Sequence, residues 1–88
     1  MISENDKAII LKYAKKYNLS KVLLFGSTIE KEDTNDIDIG IKGIRPELFF
    51  KFYGELLLAL PKHIDIVNLD KDTSFTKLVE KEGIILYG

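Results

Sequence analysis

Residues 24–40 read LFGSTIEKEDTNDIDIG, and the last five of them, Asp36-Ile-Asp-Ile-Gly40, decide the fold. Apolar Ile37, Ile39 and Ile41 alternate with Asp36, Asp38 and Gly40, the period-two pattern of a strand with one buried face. The stretch carries five carboxylates between Glu30 and Asp38, offset only by Lys31. Just upstream, Lys21-Val-Leu-Leu-Phe25 is a continuous apolar run ending at Gly26, the signature of a short strand buried on both faces.

Working outward, residues 4–17 carry Ile9, Ile10, Tyr13, Ala14 and Tyr17 at helical spacing. Ser3 or Asn5 can cap the start of that helix, and Asn18 can stop it. Pro46 suits the first position of a second helix over 46–60, with Phe49, Phe52, Tyr53, Leu56, Leu57 and Leu60 on a broad apolar arc. Leu58 falls outside that arc, beside Lys51 and Glu55, and Pro61 closes the segment. His63-Ile-Asp-Ile-Val67 alternates again. Residues 73–82 predict a shorter helix, with Gly83 expected to end it in the left-handed conformation. Ile84 to Tyr87 predict a last strand. The order α-β-β-α-β-α-β predicts one domain over residues 1–88: a small α/β (α+β) fold with a mixed sheet and helices packed on one face.

The bulk properties exclude several classes. Eighty-eight residues suffice for one modest core. A formal net charge of −1, with the basic residues scattered, gives no electrostatic reason to expect direct nucleic-acid binding. There is no cysteine, so disulfides, thiolate metal sites and cysteine nucleophiles are excluded. No apolar run approaches the ~20 residues that span a membrane, and the polar, acidic N-terminus is no signal peptide. A cytoplasmic location is the expectation.

Asp36 and Asp38 lie roughly 6.5 Å apart along one face of their strand. Asp65 has the same relation to its own strand. If the two strands are neighbours, ~4.8 Å apart, three carboxylates share one patch. Their repulsion is relieved by a divalent cation, and such hard oxygen ligands suit Mg²⁺ or Mn²⁺. Gly26-Ser27 after a buried strand allows close approach of backbone to a phosphate, helped by the hydroxyl of Ser27. Each feature alone has a plainer reading: Gly-Ser as a turn, Asp-x-Asp as a solvated strand face, Glu30, Glu32 and Asp33 as a solvated loop. His63 reads as a strand-end surface residue, and the four tyrosines as core or half-buried residues. A calcium loop beginning at Asp36 is rejected, because Ile41 stands where that loop requires glycine.

Taken together, LFGS, DIDIGI, IDIVNL and KEGIILYG resemble the minimal nucleotidyltransferases of the DNA polymerase β-like superfamily, from Val22 to Gly88. The resemblance implies a polymerase-β-type palm, with nucleotide bound at Gly26 and Ser27. It implies that Asp36 and Asp38 hold metal, that Asp65 binds metal or acts as general base, and that Glu82-Gly83 is structural. The implied reaction transfers a nucleoside monophosphate, AMP from ATP or the equivalent from another NTP. Small members of the family act as antitoxins beside HEPN-domain proteins, so a HEPN-domain partner is implied, with a tyrosine of that toxin as acceptor in some members. Leu58 or the Phe49-Phe50 pair could supply a contact surface, and so small an apolar-rich domain leaves room for a homodimer. One departure stands out. Active relatives follow Gly-Ser with an Arg-Ala-Arg-Gly-like stretch, whereas here Thr28-Ile29-Glu30-Lys31 follows and the sole arginine is Arg45. Lysine at 31 or 42 lacks arginine's bidentate geometry. That departure keeps open a second reading, a nucleotidyltransferase fold that neutralises its partner by contact alone.

Overall fold

The computed structural model describes residues 2–26 and 36–88. The expected element order is present: α1 (Glu4–Lys16), β1 (Lys21–Leu24), β2 (Asp36–Lys42), a 3₁₀ turn (Pro46–Leu48) running into α2 (Phe49–Ala59), β3 (His63–Asn68), α3 (Ser74–Glu82) and β4 (Ile84–Tyr87). The strands form one sheet in the order β3-β2-β1-β4. β1 pairs antiparallel with both β2 and β4, whereas β2 and β3 run parallel. Parallel neighbours need a crossover connection, and the turn with α2 supplies it. The sheet is therefore mixed, as the alternating order of elements predicts.

Side-chain alternation divides the core between the two faces of the sheet. Val22, Leu24, Ile37, Ile39, Ile41 and Ile64 share one cluster with Ile10 and Ala14 of α1 and Phe52 and Leu56 of α2. Leu23, between Val22 and Leu24, belongs instead to a cluster with Leu69 and Val79, joined by Phe25 and Val67. The expectation of helices on one face thus holds for α1 and α2, while α3 lies against the other. The double burial read in the 21–25 run has such a partner: Leu23 is buried in the cluster that holds Val79 of α3.

Local chemistry explains the element ends. The Ser3 hydroxyl accepts the Asp6 N–H at 3.1 Å and caps α1. Asn18 takes a left-handed φ of 56°, which asparagine tolerates better than most residues, and stops the helix. Thr73 and Thr76 form a reciprocal capping box on α3. Gly83 corrects the expectation, because its φ and ψ are −71° and 161°, extended rather than left-handed. Its small size is needed for close approach: a Cβ there would lie 2.7 Å from the Val79 carbonyl oxygen and 3.0 Å from that of Leu24.

Two ion pairs tie α1 to its neighbours. Lys62 Nζ lies 2.8 Å from Oδ2 of Asp6, a carboxylate buried in α1. Glu55 of α2 takes the Lys16 ammonium at 2.6 Å and a hydrogen bond from the Tyr17 hydroxyl.

Candidate active site

The end of β1 and the starts of β2 and β3 meet at one end of the sheet. The Phe25 N–H donates to the Asp38 carbonyl oxygen at 3.1 Å, which carries the antiparallel ladder to the brink of Gly26. Gly26 has a φ of +62°. An L side chain there would be strained, and its Cβ would stand 2.7 Å from Asp38 Oδ2. The backbone of Gly26 and the carboxylate of Asp38 are therefore in close apposition, and only glycine permits it.

In the β2–β3 register, Asp36 stands opposite His63 and Asp38 opposite Asp65. Alternation buries Ile37, Ile39 and Ile64 and turns all three aspartates to the opposite face, with Asp36 and Asp65 exposed and Asp38 half-buried. The neighbouring-strand relation that the sequence allows is thus realised, with Asp38 and Asp65 side by side. Ser27, Lys31 and the acidic residues Glu30, Glu32 and Asp33 lie outside the described residues.

His63 has a place the sequence reading did not give it. It is exposed at the strand start, as expected, yet its Nδ1 lies 3.5 Å from Asp36 Oδ1 and 4.0 Å from Asp65 Oδ2. The signal was available: His63 and Asp65 are two residues apart on one strand, so they share a face.

Among the described residues no three His, Asp or Glu side chains stand as a ready-made metal group. The donor set nonetheless fits a hard divalent cation, since carboxylate oxygens from two rigid adjacent strands suit Mg²⁺ or Mn²⁺. Arg45 follows the far end of β2 and pairs with Glu47 at 2.8 Å, so the sole arginine is remote from these carboxylates. No helix among the described residues is long and apolar enough to cross a membrane.

The fold is shared with solved toxin–antitoxin structures. A toxin–antitoxin complex with AMP-PNP contains a chain of TM-score 0.75 and 25% identity, with 99% of this chain and 74% of that one aligned. A tri-AMPylated Shewanella oneidensis HEPN toxin in complex with its MNT antitoxin gives TM-score 0.76 and 22% identity over 99% of this chain and 73% of that one. A MntA–HepT complex in which two aspartates two positions apart are each replaced by glutamate gives TM-score 0.75 and 22% identity over 93% of this chain and 72% of that one. No curated protein sequence matches the chain significantly. The family model for polymerase beta nucleotidyltransferases matches residues 8–88. Nearly the whole chain, both aspartate-bearing strands included, is therefore covered by one family, and the chain belongs to the polymerase β nucleotidyltransferases.

Proposed function

We propose that this chain transfers AMP from ATP to a hydroxyl of a HEPN-domain partner protein in the cytoplasm, and so acts as the antitoxin of a toxin–antitoxin pair. The observation that carries this reading is the register of Asp38 against Asp65, with the Gly26 backbone close against the Asp38 carboxylate. Carboxylates for a cation and a glycine backbone for phosphate then lie at one end of one sheet. The solved structures described above, a toxin–antitoxin complex with AMP-PNP and an MNT antitoxin in complex with an AMPylated HEPN toxin, support the choice of nucleotide and partner.

In this reading Asp36, Asp38 and Asp65 hold Mg²⁺ or Mn²⁺, and Gly26 and Ser27 hold the phosphates. The cation, when bound, neutralises phosphate charge and stabilises the attacking and leaving oxygens. The partner's hydroxyl oxygen bonds to the α-phosphorus, the bond from that phosphorus to the β-bridging oxygen breaks, and pyrophosphate leaves. In the same reading Asp65, exposed on the edge strand, takes the hydroxyl proton, a role it can exchange for that of metal ligand.

Labelled ATP, Mg²⁺ and the HEPN-domain partner test the reaction. Label should pass to the partner and vanish with Asp36→Asn/Asp38→Asn. Equal labelling by that variant would remove both aspartates from the chemistry. A second reading, neutralisation by contact alone, is favoured by the remote, Glu47-paired Arg45. Under it the double variant still binds and protects against the toxin.

A further inference from the structure

β3 is an edge strand, and among the described residues its outer side is only partly closed. The β2–β3 ladder continues to Leu69, whose N–H donates to the Ile41 carbonyl oxygen at 2.7 Å. Alternate residues of a strand direct their backbone groups to opposite sides, so the odd positions of β3 face β2 while Ile64, Ile66 and Asn68 face outward. The Ile64 carbonyl is closed off by the Tyr53 hydroxyl at 2.9 Å. The Asn68 carbonyl is closed off by the Lys71 N–H at 3.3 Å. Between them stands Ile66, at the floor of a cavity of about 480 Å³. One wall is Phe49 and Phe50 of α2, and the other is Thr73 and Phe75 at the start of α3. Phe50, at the rim, is 82% exposed.

We propose that this edge and cavity seat an extended segment of the partner protein, which adds one antiparallel residue pair to the sheet at Ile66. This deepens, and rests on, the AMP-transfer reading. Edge-strand addition draws affinity from main-chain hydrogen bonds and specificity from pockets for alternate side chains. A residue exchanging both hydrogen bonds with Ile66 carries its side chain on the Ile66 side of the sheet, against the Phe49–Phe50 wall. Its neighbour then stands opposite Asp65, with its side chain on the carboxylate face, about 5 Å from Asp65 between Cβ atoms. The segment recognised is therefore an apolar residue adjacent to a serine, threonine or tyrosine, and the geometry delivers that hydroxyl to Asp65.

Hydrogen exchange of the Ile66 amide in the full chain, alone and in complex with the HEPN-domain protein, tests this. The amide should slow at least about a hundredfold on complex formation, as an edge group does when it enters a ladder. An unchanged rate overturns the proposal. Slowing by ATP and Mg²⁺ alone also overturns it, because the cavity would then seat the base. Phe50→Ser should weaken partner binding at least about tenfold, and unchanged affinity counts against the seat. AMP transfer is read in the same samples. Transfer without Ile66 protection overturns the seat and keeps the transferase, whereas protection without transfer keeps the seat and overturns the transferase.

Discussion

The two faces of β2 differ as sharply as any two regions of the molecule. On one, Ile37, Ile39 and Ile41 are wholly buried under α1 and α2. On the other, Asp36 and Asp38 lie beside Gly26, Asp65 and His63 at one end of the sheet, while α3 packs on the region of Leu23 and Leu69. One strand thus holds the dry core with one set of side chains and presents carboxylates with the other. A slip of one residue would exchange the sets, which the core does not permit. The aspartates are held in place because the isoleucines are.

Substitutions on the two faces should separate activity from stability. The largest effect expected is that of Asp38→Asn on AMP transfer, a loss of about a thousandfold or more, with thermal stability within about 0.5 kcal/mol of wild type. Comparable loss of stability would mean that Asp38 serves the fold. Phe52→Ala, on the buried side of α2, should cost about 3–5 kcal/mol in denaturant unfolding. A cost below about 1 kcal/mol would show that the cluster under the isoleucines repacks freely. Gly26→Ala joins the two faces. It should cost about 1–2 kcal/mol for the left-handed backbone and, by pushing on Asp38 Oδ2, weaken Mg²⁺-dependent ATP binding as read by calorimetry. Unchanged nucleotide binding would detach Gly26 from the site.

Most of this division could be read in the residues. The period-two runs at 36–41 and 63–67 place each aspartate opposite its isoleucines, and the structure keeps both. What pattern alone could not supply is pairing. The helical linker between the runs allows a parallel neighbour, yet the pairing of Asp38 with Asp65 rather than with another residue depends on tertiary register. The position of α3 was missed for a related reason: Val79 shows an apolar face but not which side of the sheet it covers. Gly83 shows a further limit. Glycine after a helix commonly signals a left-handed cap, but here it signals crowding by the Val79 and Leu24 carbonyls, which only coordinates reveal. His63 shares the alternation of Asp65, but a lone histidine is a weak metal signal.

The smallest effect expected is that of Leu58 on α2, where neighbouring leucines have opposite surroundings. Leu56 is wholly buried in the main cluster, whereas Leu58, two residues on, is 92% exposed. A helix turns ~100° per residue, so two positions move a side chain most of the way from the sheet to the solvent. Leu56→Ala should therefore cost about 2–5 kcal/mol, and Leu58→Ser no more than about 0.5 kcal/mol, since it loses no packing within the chain. Both are read from urea unfolding with the slope held in view, so that a shift in midpoint is a shift in stability. A Leu58→Ser cost near that of Leu56→Ala would mean that the exposed leucine is covered in solution. The outward arc of α2 would then have to be counted with the core side of the molecule, and the two-faced account of the sheet would need a third surface.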